Sequence, residues 1–278
     1  MLDSVALLKS DKNIENTLEK GVQLIDTFHS LRSPVVIKPN ICTIDDKTGF
    51  SVTNIQVVKE LIKVILKENP DISIKIVESD SMSKFAEEAF EKFGYRKLET
   101  KMQESGHDVS LVNLSQSPLI ETKFEGNYFM NPKLPDILVK DKFFISLAVA
   151  KTHYLTFITG IIKNLFGLLP KKGKSVYHPD INNIITDLCR FIQPDLNIID
   201  ARMGVEGWNG PNTRKLDRFI IGNKPLSTDA TMARIMGFKP EKIQHLTLAA
   251  KYNLGSLNPK VVGEKVETSK VQHNSPTK

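Results

Sequence analysis

The residues best suited to chemistry in this chain crowd into one connection, directly after an apolar run that begins at Phe143. The candidates in this connection are Lys151, Thr152, His153, Gly160, Lys163 and Asn164. Lysine amines bind anions, and an imidazole with an ordinary pKa of about 6.5 can move a proton near neutral pH. We therefore expect His153 and Lys163 to be catalytic, and the other four residues to bind the substrate.

The position of Lys163 suggests where an anion would lie. The natural start of the helix that carries it is Thr159-Gly160, which puts Lys163 in the first turn or so. A cation near a helix N-terminus opposes the helix dipole by about 0.3–1 kcal/mol, and an anion bound there would reverse the sign. We expect an anion at this terminus.

Two other predicted strands deliver polar side chains to the same edge of the sheet. Lys38 and Asn40 follow the first, and Asp200 ends a later one. Open α/β sheets bind ligands beyond the carboxyl ends of their strands. We expect Lys38 and Asn40 to bind substrate and Asp200 to orient or charge-balance His153, whereas Asp229 suits a helix cap.

Strand-like and helix-like patterns alternate along the chain. Strands are predicted over residues 35–37, 72–77, 109–114, 143–150, 196–199 and 218–221, and helices over 53–69, 82–93, 181–192, 231–236 and 241–253. This alternation predicts an α/β fold in three layers, with a mostly parallel central sheet and helices on both faces. Residues 1–262 would form one domain, or two lobes with a cleft between them, and residues 263–278 a disordered polar tail.

Composition narrows the class of partner. The formal net charge is +6, which suits a small anionic ligand; nucleic acid is a weaker alternative through a basic lid over residues 171–174. No apolar run reaches the length of a membrane span. Cys42 and Cys189 stand alone, so no zinc or iron–sulfur spacing exists and we expect reduced thiols in the cytoplasm.

Several motifs together resemble one known family. VVIKPNI, AKTHYLTFITGIIKNLFGLLP, HPDINNIITDL, IIDARMGVEGWNGPN and NKPLSTDATMARIMGF occur in the order found in the family catalogued as domain of unknown function 362. The resemblance covers residues 35–257 and implies an α/β fold without an agreed reaction. Members often carry ferredoxin-type iron–sulfur domains. This chain lacks the clustered cysteines, so the resemblance implies a separate ferredoxin partner rather than an intrinsic cluster.

A more remote similarity is to the amino-terminal part of nickel-pincer lactate racemases. There a catalytic histidine, a glycine-containing loop and a lysine that holds a pyridinium-derived cofactor follow a strand. His153 and Lys163 match that order, and His178 lies near the place of a nickel-ligating histidine. The similarity implies a pincer cofactor on Lys163 and a metal on His178. Gly160-Ile161-Ile162-Lys163 departs from the racemase run Gly-Gly-Arg-Lys, which argues against that cofactor.

Taken together, the sequence favours an enzyme that acts on a small carboxylate or phosphate by acid/base or redox chemistry, such as a racemase, a lyase or an oxidoreductase. One alternative is a protein that holds a cofactor or serves as the electron-transfer partner of a ferredoxin. A third is nucleic-acid binding, which would show a steep fall of affinity with salt.

Overall fold

The structure, a computed structural model, describes residues 3–276, and its centre is a nine-stranded mixed sheet. The strands are β1 (Ser4–Lys9), β2 (Val35–Pro39), β3 (Ile74–Glu78), β4 (Val109–Asn113), β5 (Leu119–Glu121), β6 (Lys133–Pro135), β7 (Phe143–His153), β8 (Phe157–Thr159), β9 (Leu196–Val205), β10 (Thr213–Gly222) and β11 (Lys260–Gly263). The α-helices are α1 (Ile14–Ile25), α2 (Ile55–Glu68), α3 (Ala86–Lys92), α4 (Tyr95–Glu104), α5 (Asp136–Val139), α6 (Ile161–Asn164), α7 (Ile181–Ile192), α8 (Pro225–Ile235), α9 (Gln244–Lys251) and α10 (Val266–Ser269).

The strand order in the large sheet is β11-β1-β10-β9-β7-β2-β3-β4, and β8 folds back on β7. Neighbours from β9 to β4 run parallel, whereas β10 is antiparallel to both β9 and β1. β5 and β6 form a separate two-stranded sheet. The predicted α/β fold with a mostly parallel sheet is confirmed.

The sheet is covered on both faces, because its strands alternate between two apolar cores. Val36 and Phe144 pack in one core, and their chain neighbours Val35 and Phe143 pack in the other. Side chains of a strand point alternately to opposite faces, so a strand buried on both reads as an unbroken apolar run. All five residues of β2 are buried for this reason.

Several element boundaries differ from the sequence prediction. α2 begins at Ile55, two residues later than the predicted start at residue 53, and its N-cap Asn54 accepts a hydrogen bond from the Gln56 N–H through its side chain. Gly94, in the left-handed region at φ 79°, follows α3, and the chain then enters α4 at once. α4 was missed because its residues are mostly polar and a glycine directly precedes it.

Residues 263–276 are ordered where a disordered tail over residues 263–278 was expected; residues 277 and 278 lie outside the described part of the chain. Residues 264–276 include α10, and the Val271 N–H donates to the Ile235 carbonyl at 2.7 Å. The His273 side chain is only 2% exposed. The sequence does not predict this order, because the segment contains few apolar residues. It attaches partly through backbone hydrogen bonds, which do not depend on the type of residue.

Candidate functional site

A cavity of about 300 Å³ lies at the carboxyl ends of β2, β3 and β7, between the loop after β2 and α6. Six lysines line it: Lys38, Lys84, Lys151, Lys163, Lys172 and Lys174. Among the described residues, Glu78 is the single carboxylate in its wall, and His153 and His178 are its two histidines. We call this space the lysine cavity. An excess of cations in a partly desolvated pocket favours an anionic ligand.

The floor of the lysine cavity is a buried ion-pair network around Glu78. The Lys38 Nζ donates to Glu78 Oε2 at 2.7 Å, and Lys84 lies 3.4 Å from Oε1. Burial alone would raise the pKa of Glu78, but the charges of Lys38 and Lys84 outweigh it and hold this pKa below its ordinary value. Gly167 leaves room for the pair, since a Cβ there would lie 2.8 Å from Lys38 Cε. The positive charge of Lys38 is therefore largely compensated by Glu78 before a ligand binds.

The polar side chains that close one wall mostly hold the backbone. The Lys151 Nζ donates to the Ser51 carbonyl at 2.8 Å and lies 3.3 Å from Cys42 Sγ. Asn40 Nδ2 also donates to the Ser51 carbonyl, at 2.7 Å. The amide of Asn164 donates to the Lys38 carbonyl at 3.0 Å. These contacts fix the loop after β2 against β7, so the cavity wall is pre-formed.

Lys163 and Lys172 are the two wall lysines whose amines make no hydrogen bond or ion pair with the described residues, and Lys163 is the less exposed of the two. The Lys163 Nζ lies 4.5 Å from the centroid of the Phe166 ring. Burial, followed by the charge of Lys151, lowers the pKa of Lys163 to about 8. An amine with such a pKa carries charge at neutral pH, yet loses its proton more readily than an ordinary lysine.

Lys174 reaches the cavity from the segment that follows α6. Its Nζ donates to Ser79 Oγ at 2.5 Å, and its side chain is 7% exposed. Burial lowers the pKa of Lys174 to about 7, although Glu78 opposes this. Lys172 lies 3.6 Å from the centroid of the Phe85 ring. The predicted basic lid thus turns two of its lysines toward the cavity.

His153 is neutral in this environment. Its Nδ1 accepts a hydrogen bond from the Leu155 N–H at 3.1 Å, which places the ring proton on Nε2. Burial, and then the charges of Lys163 and Lys151, lower the pKa of His153 to about 2. The ring can therefore donate a hydrogen bond from Nε2 at neutral pH, while its other nitrogen is already engaged.

The expected anion at the start of α6 turns out to be a side chain of the protein itself. The Asp229 carboxylate accepts from the Ile161 and Ile162 N–H groups, at 2.7 and 3.0 Å. A Cβ on Gly160 would collide with this carboxylate, so Gly160 serves the cap rather than a substrate. Burial raises the pKa of Asp229 to about 7, against the two backbone donors, which lower it. The sequence analysis expected Asp229 to cap the start of its own helix, which is wrong, because Asp229 lies within α8 and caps α6 instead.

Asp200 and Thr152 lie outside the lysine cavity. β9 continues past Asp200, whose carboxylate pairs with Arg202 at 2.6 and 2.8 Å. The expectation that the strand ends there and presents an acid to His153 is wrong, because an antiparallel partner, β10, extends β9. The Thr152 hydroxyl accepts from the Gly207 N–H at 2.7 Å and anchors a neighbouring loop.

The structure thus gathers most of the predicted site residues. Those in the wall of the lysine cavity are Lys38, Asn40, Lys151, His153, Lys163, Asn164 and His178. Sequence reasoning missed Glu78, Lys84, Lys174 and Trp208 as members of this wall. A signal existed for Glu78, which ends a predicted parallel strand just as Lys38 does, whereas Lys84 and Trp208 come from loops that only the fold brings together.

The side chains of the site offer little to a metal ion or a nickel-pincer group. Within residues 3–276, no three His, Cys, Asp or Glu side chains gather as a metal site would need, so metal binding by His178 stays a prediction. Ile161 and Ile162 are fully buried, so this position offers no counterpart of the racemase arginine. The site does not fit the pincer group in this respect, and we derive no step through it.

Comparison with known proteins assigns the family. The family model "Domain of unknown function (DUF362)" matches residues 35–234, which is more than half of the chain, and this chain belongs to that family. A thylakoid-associated protein of Synechocystis is 31% identical over 125 residues, covering 41% of this chain and 38% of that protein. The chain therefore spans well under half the length of this relative.

A solved structure is also similar in part. The lactate racemase apoprotein from Thermoanaerobacterium thermosaccharolyticum shares 12% identity, with a TM-score of 0.44 over 72% of this chain and 50% of that one. No described helix of the present protein is both long enough and apolar enough to traverse a bilayer.

Proposed function

We propose that this member of the DUF362 family is an enzyme that binds a small carboxylate or phosphate substrate in the lysine cavity and moves a proton there. The observation that carries the proposal is the imbalance of charge, with six lysines facing one carboxylate among the described wall residues. Because the cavity is partly enclosed, its electrostatic attraction for an anion is less screened than at an open surface.

The lysines differ in what they can offer to a substrate. Lys38 and Lys84 are committed to Glu78, whereas Lys163 has no competing acceptor among the described residues. The pKa values of Lys163 and Lys174, about 8 and about 7, are lower than that of an ordinary lysine. Both amines therefore lose their positive charge nearer to neutral pH. We assign Lys163 and Lys174 to anion binding, supported by the positive field of Lys151.

Proton transfer is assigned to Lys163 rather than to His153 alone. An amine with a pKa of about 8 exchanges protons near physiological pH. The neutral His153 ring is suited to donate its Nε2–H to a carbonyl or hydroxyl oxygen of the substrate, and so to stabilise developing negative charge. Lys163 thus serves as the acid/base, and the neighbouring His153 serves as the electrophile.

Binding is tested first, by thermal unfolding with added phosphate, sulfate and small 2-hydroxycarboxylates at matched ionic strength. A ligand at 100 times its Kd stabilises a protein by about 2.7 kcal/mol. We expect Lys163→Gln to lose most of the stabilisation. Lys97→Gln is the matched control, since it removes the same charge from an exposed position outside the cavity. If no anion raises Tm beyond the matched chloride salt, the proposal is wrong.

Chemistry is tested with the anions that bind. We expect exchange of a carbon-bound substrate proton for deuterium in D2O, followed by NMR, and its loss in Lys163→Gln. His153→Phe should slow exchange while leaving binding within a few-fold, because its role is to stabilise charge that develops during reaction. Binding without exchange of any proton would leave a binding protein in place of this enzyme. Redox turnover with a cofactor would make the protein an oxidoreductase and overturn the proton-transfer step.

The alternative partners stay predictions. A ferredoxin partner would require a docking surface, and no observation above selects one. Nucleic acid would need a row of exposed cations; Lys171 and Lys172 are exposed, but Lys174, the third lysine of this segment, is buried and donates to Ser79. Cys42 and Cys189 are both free thiols, and we propose a reducing compartment, the cytoplasm, for the protein.

A further inference from the structure

A second cavity, of about 610 Å³, lies next to the lysine cavity, and Tyr154 and Trp208 belong to the walls of both. We call it the outer cavity; Thr152, Glu206 and Asn274 are also in its wall. Both shared rings are exposed, Tyr154 by 46% and Trp208 by 41%. Large aromatic side chains are usually covered, and exposed ones at a cavity entrance provide flat apolar surface for a ligand.

The Tyr154 ring and the loop that carries Trp208 are held in place before any ligand binds. The Tyr154 ring stacks on the His153 ring, with centroids 4.9 Å apart and planes 13° from parallel. On the other side, the loop that carries Trp208 is tied at its two flanks. The Gly207 N–H donates to the Thr152 hydroxyl at 2.7 Å, and Asn209 Nδ2 donates to the Asp45 carbonyl at 2.5 Å. A pre-organised aromatic surface loses little conformational entropy on binding.

The two cavities differ in charge. The wall of the lysine cavity contains the six amines. The described wall of the outer cavity contains one ionisable group, Glu206, apart from the Tyr154 phenol. Glu206 is already paired with Arg214, at 2.7 Å, and accepts from the Asn274 N–H at 2.9 Å. One end of the combined space thus attracts an anion, and the other offers aromatic faces without an unpaired charge.

We propose that the substrate is an anion joined to a planar aromatic or heteroaromatic ring, of the size of a nucleoside monophosphate. Its phosphate or carboxylate lies among the amines of the lysine cavity, and its ring stacks on Tyr154 or Trp208 at the junction. This inference rests on the proposed function, because it needs the anion to bind at the lysine cavity, and it adds the chemical class of the remainder of the ligand.

A single strand of nucleic acid would use the same stacking chemistry, since aromatic side chains stack on every base. The charges favour the small ligand. Lys151 is 1% exposed and Lys174 is 7% exposed, so these amines can reach a terminal anion in the cavity but not a continuous phosphate backbone. An oligonucleotide is therefore included in the test as a competitor.

The experiment uses the emission of Trp208, which is the single tryptophan of the chain. The full-length protein is titrated with inorganic phosphate, uridine, UMP and AMP, and affinities are confirmed by calorimetry. We expect UMP or AMP to change the emission and to bind at least about tenfold more tightly than phosphate, because base stacking adds to the anion contact. Uridine alone should bind more weakly than UMP.

Variants separate the two halves of the ligand. Tyr154→Ala should weaken nucleotide binding several-fold and leave phosphate affinity within about twofold. Tyr128→Ala is the matched control, because Tyr128 is 42% exposed and lies outside the described walls of both cavities. Lys163→Gln should weaken phosphate and nucleotide alike.

Each other outcome has a defined meaning. Phosphate binding without any gain from the ring, or a gain that survives Tyr154→Ala and Trp208→Ala together, overturns this inference and leaves the proposed function standing. Failure of phosphate, sulfate, carboxylates and nucleotides to bind overturns both. Tighter binding of an oligouridylate than of UMP, with a steep dependence on salt, overturns the small-ligand inference in favour of nucleic acid.

Discussion

At the scale of single residues, the site depends on how the positive charge of each lysine is compensated. A buried cation without a partner is costly, and burial lowers its pKa unless a carboxylate compensates. Glu78 compensates Lys38 directly, whereas Lys163 rests against an aromatic face and the pKa of Lys163 falls to about 8. A lysine therefore stabilises the fold at position 38, whereas at position 163 its amine is available to a ligand.

This difference predicts a pH dependence of anion binding. Sulfate stays a dianion between pH 6 and 9, so any change in its affinity reports on the protein. As the pH rises through the pKa values of Lys174, about 7, and Lys163, about 8, the cavity loses positive charge. We expect the sulfate affinity, measured by calorimetry, to fall at least about tenfold across this range.

The variant Lys163→Gln should bind sulfate more weakly at pH 6 and show a shallower decline toward pH 9. Lys97→Gln, outside the cavity, should follow the unmodified protein. A sulfate affinity that stays level up to pH 9 would mean that both amines titrate as ordinary lysines, and would contradict the description of the site.

At the scale of elements, α6 is positioned by a carboxylate from α8. The helix has only four residues, too few to be stable by itself, so its geometry depends on the cap and on packing. Asp229 satisfies two buried N–H groups at the end of α6 that lies two residues before Lys163. The amine of the site is therefore placed by a contact between two distant segments of the chain.

Removal of this cap should lower stability and weaken ligand binding together. In Asp229→Ala, two buried donors lose their acceptor, at about 1–3 kcal/mol each. About 1 kcal/mol corresponds to roughly 2–4 °C in Tm for a chain of this size. Calorimetric unfolding should therefore show a decrease of several degrees, and sulfate affinity should fall because Lys163 is displaced.

Two further variants check the cause. Gly160 has an extended backbone that any residue adopts, so Gly160→Ala should act through its collision with Asp229, beside a lesser contact with Met232, and should also lower Tm. Asp229→Asn keeps one acceptor oxygen and should lose less stability than Asp229→Ala. Equal Tm values for Asp229→Ala and the unmodified protein would show that the cap is not needed.

At the scale of the whole molecule, the carboxyl-terminal segment connects parts of the fold that are distant in sequence. Residues 264–276 run from β11 past α8 to the loop after β9, where Asn274 hydrogen-bonds Glu206 through its N–H and its side-chain amide. This segment also forms part of the outer cavity. It is therefore a structural part of the site region and not an appendage.

Truncation after residue 263 should accordingly destabilise the protein. The loss includes backbone hydrogen bonds to α8, such as that of Val271, and the buried His273 side chain. We expect the free energy of unfolding in urea to fall by at least about 1–2 kcal/mol, on the basis of about 0.5–1.5 kcal/mol per hydrogen bond. An unchanged free energy would restore the expectation of a disordered tail.

Gly204 offers an independent check of the same contact. A Cβ at this position would collide with His273 Nε2. Gly204→Ala should therefore destabilise the full-length chain more than the truncated one, and the difference between the two effects measures the coupling. Identical effects in both backgrounds would mean that the segment does not pack there.

The sequence by itself determined the class of fold and much of the site. Apolar runs such as that of β2 must be strands buried on both faces, and the alternation with helices requires parallel connections. Parallel strands end at one edge, so Lys38 and Lys151 had to approach each other. These inferences need only local patterns and one general rule of topology.

The tertiary structure decided which polar groups are available and which are already paired. Asp229 is engaged by α6 and Glu78 compensates Lys38, and neither partner can be read from spacing, whereas Arg202, which engages Asp200, lies only two residues along the same strand. Burial sets the charge of a group through its neighbours in space, and these come from distant parts of the chain. The sequence could therefore identify the lysines of the site, but only the fold distinguished Lys163, the available amine, from those that hold the structure together.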